Sequence, residues 1–255
     1  MGLRKKGSII LFVSMGLFAL EMGFVRPTAA DTEVKGETGT DLIFGEKGKK
    51  QKEYEYLETF DLPDINEQNW GIVQTDKEKA EIKVVEGKLY VSAKGRNVSA
   101  GLRTVKKFTN KEFTLEFDIH PIPEEKHGAF SINFPASSAY NYWSISLIHA
   151  SECVQIYTLD EGEAYYHGGA VNLPADTWLH FEIKNYPDKV MIKVTEMKEN
   201  GVIYEKTLPH DELNTTDSIT LGVGTGELEN PELKGGYYID NIGWTKEKIA
   251  EGDKK

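Results

Sequence analysis

The sequence predicts an all-β protein built as a two-sheet antiparallel β-sandwich. Between about residues 80 and 245, short segments alternate apolar and polar side chains, as strands with one buried face do. Glycine, proline, asparagine and aspartate separate these segments, and no segment keeps a helical period over three turns. The chain has one cysteine, Cys153, so stability must come from an apolar core rather than from an internal disulfide.

The N-terminal segment is predicted to be a signal peptide, residues 1–30. Three basic residues, Arg4 to Lys6, precede an apolar run over 8–20 that Glu21 interrupts. This run is shorter than the roughly 20 residues that span a bilayer, and small residues up to Ala30 supply a cleavage site. A Gram-positive-like leader of this kind predicts a secreted or cell-surface protein without membrane insertion after cleavage. An uncleaved N-terminal anchor is the alternative.

Three further segments follow the leader: a flexible linker over 31–52, the sandwich over 53–246, and a charged tail over 247–255. Removing the leader takes away four basic side chains and one acidic side chain, which leaves a net charge of about −14. This acidic balance argues against nucleic acid or an anionic membrane as partner, because both require a basic surface. It is compatible with neutral glycans and with divalent cations.

The predicted strands follow one another in short steps. A turn at Glu86-Gly87-Lys88 joins the first two, with glycine where a positive φ is required. A second hairpin turns at residues 185–188. The strands lie at 82–85, 89–92, 113–120, 130–134, 142–147, 153–157, 178–184, 190–195, 203–207, 218–223 and 237–244.

Several local patterns resemble the concanavalin A-like lectin and glucanase superfamily. They are an opening at 58–61 before Trp70, the stretch 85–91, the core strand 113–119, the tryptophan-led strand 176–183, and the closing Tyr-Ile-Asp-Asn strand 236–242. The resemblance covers about residues 55–246 and implies a jelly roll. That superfamily includes laminin-G-like domains, carbohydrate-binding modules, glycosidases and lyases, so the fold alone does not determine the function.

One predicted strand carries three ionisable groups on one face, Glu116, Asp118 and His120, because side chains alternate with a period of two. In the glucanases that the chain resembles, alternate carboxylates on such a strand perform glycoside hydrolysis. Here the second glutamate of that pattern is missing and His120 stands in the third position. A polar outer face is therefore the favoured interpretation, and a glycoside hydrolase or polysaccharide lyase with a divergent site is the alternative.

A second face is predicted to bind a ligand. If Phe117, Ile145, Val154 and Ile156 point into the core, neighbouring positions point outward, provided that their strands share one sheet. Aromatic rings and hydrogen-bonding side chains of this kind suit sugar recognition. The predicted ligand-binding residues are Asp118, Asn133, Tyr142, Ser144, Gln155 and Tyr157.

The resemblance also implies a possible structural calcium ion. Asp240 stands in the closing Asp-Asn motif, and Glu58 and Asp61 lie where early acidic ligands would be. Calcium requires six to eight oxygen ligands, several of them carboxylate. The alternative is that Asp240 caps a turn or pairs with an arginine.

The sequence therefore favours an exported, non-catalytic carbohydrate-binding protein that acts at the cell surface or outside the cell. Its expected partner is a glycan or polysaccharide. The enzyme described above is one alternative, and an envelope protein-interaction module without sugar binding is another.

Overall fold

The structure is a computed structural model, and it describes residues 54, 56–105, 112–135, 142–160, 163–174, 176–186, 188–209, 218–226 and 230–245. These residues belong to one compact unit, Tyr54–Lys255. The predicted leader, linker and charged tail lie outside the described residues. No helix in the described part of the chain is long and apolar enough to cross a membrane.

The described residues form strands throughout, apart from turns and one short 3-10 helix at His149–Ser151. In chain order the strands are β1 (Tyr56–Glu58), β2 (Trp70–Gln74), β3 (Ala80–Val85), β4 (Lys88–Lys94), β5 (Ser99–Thr104), β6 (Phe113–Lys126), β7 (Ala129–Pro135), β8 (Tyr142–Ile148), β9 (Cys153–Asp160), β10 (Glu163–Ala170), β11 (Leu179–Asn185), β12 (Lys189–Glu196), β13 (Gly201–Pro209), β14 (Thr220–Gly224) and β15 (Lys234–Thr245).

These strands make two antiparallel sheets. Sheet A runs in the order β13-β12-β11-β6-β15-β4-β3, with β1 paired to the far end of β15. Sheet B runs in the order β10-β9-β8-β7-β14-β5-β2. The predicted all-β class and two-sheet sandwich are confirmed.

The core lies between the sheets and is built from the inward positions of each strand. Phe117 and Phe181 stack in sheet A at 5.0 Å between ring centroids, and Phe130 of sheet B lies 5.5 Å from Phe117. All three side chains are buried. Each buried aromatic ring removes a large apolar area from water, so this cluster stabilises the face-to-face packing of the sheets.

Two glycine positions determine how the chain turns. Glu86 and Gly87 both have positive φ values, 51° and 72°, which joins β3 and β4 in a tight hairpin as predicted. Where β6 of sheet A passes into β7 of sheet B, a Cβ atom on Gly235 would lie 2.3 Å from the Cα of Gly128. Only glycine permits this close approach of the two backbones.

Candidate functional site

A row of polar side chains crosses the outer face of sheet B. Ile132, Ile145 and Ile156 of β7, β8 and β9 point into the core, so the residues beside them point outward. The strand register places these outward residues side by side, and the same row continues onto β14 and β5. The row consists of Arg103, Thr220, Asn133, Ser144 and Tyr157.

The next row along sheet B is made of small residues around one amide. Ser131 and Ser146 are opposite each other, and their hydroxyl oxygens are 2.8 Å apart. A Cβ atom on Gly222 would lie 2.2 Å from the carbonyl oxygen of Ala100, so no larger residue fits there. The row consists of Gly101, Gly222, Ser131, Ser146, Gln155 and Gly168. We call both rows together the polar face.

Asn133 lies at the centre of the polar face and has an unsatisfied donor. Its Nδ2 atom is buried and has no hydrogen-bond partner among the described residues. A buried polar group without a partner costs about 1–3 kcal/mol, which a ligand oxygen could recover by accepting the bond. Ser144 and Thr220, on either side of Asn133, are also buried and supply hydroxyl groups. Hydroxyls, amides and one arginine form a surface suited to a polyhydroxylated ligand.

The structure brings together four of the six predicted ligand-binding residues, Asn133, Ser144, Gln155 and Tyr157, on this face. Tyr142 is part of β8, but its side chain lies outside the described set. The premise that Asp118 shares their sheet is wrong. Strand β6 pairs with β11 and β15, and the chain crosses to sheet B only after β6 ends.

Asp118 instead belongs to a group of charged residues on the outer face of sheet A. Its Oδ1 lies 2.7 Å from Nδ1 of His180, and its Oδ2 accepts a hydrogen bond of 2.8 Å from the amide of Asn241. Glu116, two residues earlier, accepts a bond of 2.8 Å from the Tyr54 hydroxyl and lies 3.9 Å from Nε2 of His180. We call these five residues the acid–histidine cluster.

Burial and charge shift the titration of this cluster. Burial by itself lowers the pKa of His180, but the hydrogen bond and charge of Asp118, with the charges of Glu116 and Glu182, outweigh it and raise the pKa overall. Burial, with help from the Glu116 charge, raises the pKa of the Tyr54 phenol, so this group remains a donor. The raised pKa of His180 favours its imidazolium form beside Asp118, and the Tyr54 phenol donates a hydrogen bond to Glu116.

Glu116, Asp118 and His120 share the outer face of sheet A but make separate contacts. Glu116 and Asp118 are buried, and Tyr54, His180 and Asn241 already contact their carboxylate groups. His120 lies on the same face but pairs with Asp176, at 3.2 Å from Nε2 to Oδ1.

The predicted calcium ligands do not fit a common ion. Glu58 accepts hydrogen bonds from the Tyr56 hydroxyl, the Trp70 indole and the Phe60 backbone at 3.0–3.2 Å. Asp61 accepts a bond of 2.6 Å from Thr59. Within the described ranges, no three His, Cys, Asp or Glu residues are grouped so that they could hold a metal ion. A calcium ion bridging Glu58, Asp61 and Asp240 is therefore not supported by this arrangement.

Asp240 of β15 lies next to the acid–histidine cluster, because it pairs in register with Asp118 of β6. The pKa of its carboxyl group is raised. Burial, with a contribution from the charge of Asp118, raises its pKa to about 6, although the Asn241 backbone amide donates a bond of 2.8 Å to its Oδ1. This carboxyl is protonated more readily than an ordinary aspartate. The bond from the Asn241 amide lies within β15, at the register irregularity between Asp240 and Gly243, where Asn241 has a positive φ of 52°.

Several contributors were absent from the sequence-based prediction. Tyr54, His180 and Asn241 meet Glu116 and Asp118 only through sheet pairing, so no local spacing indicated them. Arg103 and Thr220 lie on strands that join the polar face from distant parts of the chain. His180 precedes the buried Phe181 in an alternating strand, so its side chain was expected to point away from the core. This alternation was the one signal that could have suggested a charged partner.

Comparison with solved structures returns jelly-roll folds. SCLam, a non-specific endo-β-1,3(4)-glucanase from family GH16, matches with a TM-score of 0.60 and 11% identity over 76% of this chain and 91% of that chain. The laminarinase catalytic domain from Thermotoga maritima matches with a TM-score of 0.57 and 16% identity over 76% and 98%. The Ca²⁺-bound exoplasmic/lumenal domain of VIP36 matches with a TM-score of 0.56 and 8% identity, over 72% of this chain and 86% of that chain.

No family model matches the sequence, and no curated protein does. At these identities the likeness shows the fold. The chain has a two-sheet jelly roll like those of these glucanases and of VIP36, the fold that the sequence patterns predicted.

Proposed function

We propose that the protein is an exported, non-catalytic sugar-binding module whose polar face on sheet B holds a glycan. The observation that carries this proposal is the Asn133 Nδ2 donor, which has no hydrogen-bond partner among the described residues and lies at the centre of a row of hydroxyl, amide and aromatic side chains. A sugar hydroxyl can accept from that amide while neighbouring hydroxyls exchange bonds with the serines. Tyr157 supplies an aromatic side chain at the same row for the apolar face of a sugar ring.

The composition of this face supports binding rather than hydrolysis. Arg103 is its one charged residue among those described, and the other members are uncharged. Glycoside hydrolysis usually requires two carboxyl groups flanking the scissile bond. The buried carboxylates, Glu116 and Asp118, lie on the opposite sheet. There they contact the other members of the acid–histidine cluster, Tyr54, His180 and Asn241.

The similar structures support a sugar as ligand, since they include a laminarinase, a glucanase and a VIP36 domain bound to Man3GlcNAc. Export rests on the signal peptide predicted over residues 1–30 and on the acidic charge of the remaining chain. A glycan of a cell wall, a matrix or a host surface is the corresponding partner.

A glycan array with the mature protein tests this proposal, followed by titration of the best glycan against an Asn133→Ala variant. Losing the central hydrogen bond is expected to weaken binding about tenfold, which corresponds to roughly 1.4 kcal/mol. Lys193→Ala on the outer face of sheet A is the matched control and is expected to bind like the unmodified protein.

Three results would contradict the proposal: no binding to any glycan on the array, equal binding by both variants, or cleavage of a bound glycan that Glu116→Gln abolishes. The last result would establish the alternative of a glycoside hydrolase or polysaccharide lyase built on Glu116 and Asp118.

A further inference from the structure

Aromatic rings cross the outer face of sheet A in one register row. Tyr238 of β15 is paired with both Tyr90 of β4 and His120 of β6. The ring of Tyr238 lies 5.4 Å from that of Tyr90 and 6.4 Å from that of His120. Trp178, directly before β11, extends the row, and its ring lies 5.4 Å from His120. Four neighbouring segments therefore present aromatic groups on one side of the sheet.

A pocket of about 230 Å³ lies against this row. Its walls are Trp178, Tyr238 and His120 on one side, and the β3–β4 hairpin with Val85, Glu86 and Lys88 on the other. The hairpin is fixed by the positive φ values of Glu86 and Gly87 and by the pairing of Val85 with Lys88. The pocket is thus formed by regular strands and a tight turn, so its shape is preorganised.

The polar groups of the pocket are mixed in charge. Lys88 donates a bond of 3.3 Å to the backbone carbonyl oxygen of Glu86, which holds the ammonium group at the hairpin. His120 contacts Asp176 through Nε2, while its Nδ1 is buried and has no hydrogen-bond partner in the described part of the chain. One cation, one carboxylate and one unsatisfied ring nitrogen favour an uncharged ligand with several hydroxyl groups.

We propose that this pocket is a second ligand site, which binds one ring of a neutral pyranose sugar. Aromatic side chains can pack against the C–H face of a sugar ring while the polar groups bond to its hydroxyls. The pocket is smaller than the roughly 300–1,000 Å³ of typical small-molecule sites, so it accommodates one ring rather than a chain of rings. It lies on the opposite sheet from the polar face, and the apolar core separates the two sites.

This inference goes beyond the proposed function and does not rest on it. Two sites on opposite faces would let one molecule bind two sugar chains, or two parts of a branched chain, at once. Simultaneous engagement raises apparent affinity for a surface that displays many copies of a sugar.

The test is an NMR titration of the ¹⁵N-labelled mature protein with the methyl glycosides of glucose, galactose, mannose and N-acetylglucosamine. At least one sugar is expected to shift the indole signal of Trp178 and the backbone amides of Lys88 and Tyr238. Trp178→Ala removes one wall, and Val85→Phe fills the pocket without removing a polar group. Each variant is expected to weaken binding about tenfold or more, the equivalent of at least roughly 1.4 kcal/mol.

Asn133→Ala, on the other sheet, is the matched control and should leave these shifts unchanged. The proposal is overturned if none of the four sugars shifts the Trp178 signal, or if the folded Val85→Phe variant binds as well as the unmodified protein. Shifts that disappear in Asn133→Ala but persist in Trp178→Ala would place the only sugar site on sheet B. Pocket shifts without glycan binding by the polar face would contradict the proposed function alone.

Discussion

At the scale of single residues, the two outer faces differ in how their polar groups are satisfied. In the acid–histidine cluster, His180 and Asn241 bind both oxygens of Asp118, and Tyr54 binds Glu116. Among the described residues, Nδ2 of Asn133 on the polar face and Nδ1 of His120 in the pocket on sheet A are buried and have no hydrogen-bond partner. A satisfied network stabilises the fold, whereas an unsatisfied group is available to a ligand.

Asp240 gives a residue-scale prediction, because its pKa of about 6 lies above the unfolded value near 3.8. Folding therefore penalises its charged form. The penalty is absent below pH 3.8, grows as the pH rises to 6, and is complete above that. Asp240→Asn keeps the acceptor for the Asn241 amide and removes the charge. Since Asp240 is only half-buried, we expect the free energy of unfolding to rise at pH 7.5 by about 1 kcal/mol, less than the full shift would give.

Urea denaturation at pH 7.5 and at pH 3.5 measures this difference. At the lower pH the variant and the unmodified protein should have nearly equal stability. Asp64→Asn, at an exposed position, is the matched control and is expected to change little at either pH. An equal gain at both pH values would show that ionisation of Asp240 is not the cause.

At the scale of secondary structure elements, the short strand β1 pairs with β15, and Tyr54, two residues before β1, reaches Glu116 in the acid–histidine cluster. Leu57 of β1 pairs with Gly243 of β15, and the Tyr54 ring lies over this glycine. A Cβ atom on Gly243 would be 2.4 Å from a ring carbon of Tyr54. The glycine therefore permits Tyr54 to reach Glu116.

Gly243→Ala is expected to destabilise the protein by about 1–3 kcal/mol, because the added methyl group displaces the Tyr54 ring. The same substitution in a Tyr54→Ala background should cost much less, since the obstructing ring is gone. A double-mutant cycle from urea denaturation measures the coupling, expected at about 0.5–3 kcal/mol. Additive effects of the two substitutions would mean that Tyr54 does not occupy this position.

The sequence predicted those elements whose apolar alternation is uninterrupted. Strands such as β11, with Leu179, Phe181 and Ile183 inside, were expected and are present. Strands β1, β2, β5 and β10 were not expected, because they are short or carry glycine where a side chain would show the period. Gly101 and Gly168 are examples, and their absent side chains form part of the polar face.

At the scale of the whole molecule, the alternation of side chains along each strand predicted which residues point away from the core. It did not predict which sheet those residues belong to. Asn133, Ser144 and Tyr157 come from strands that are consecutive in both sequence and sheet, so their shared face followed from the pattern. Asp118 comes from a strand whose neighbours, β11 and β15, are distant in sequence. Long-range pairing of this kind has no local signature, and the same reason hid His180 and Trp178.

The two sheets are also connected by a polar contact through the core, which gives the last prediction. Tyr237 of sheet A is fully buried, and its hydroxyl donates to the carbonyl oxygens of Gly128 and Leu147 at 3.0 and 3.2 Å. Tyr237→Phe leaves both carbonyls without this donor and is expected to lower the free energy of unfolding by about 1–2 kcal/mol. Tyr204 is the matched control, since its buried hydroxyl has no hydrogen-bond partner among the described residues. Tyr204→Phe should be neutral or stabilising because it removes an unsatisfied group. Urea denaturation of both variants measures the difference. Equal losses in the free energy of unfolding would rule out the hydrogen bonds of Tyr237 as the source of stability.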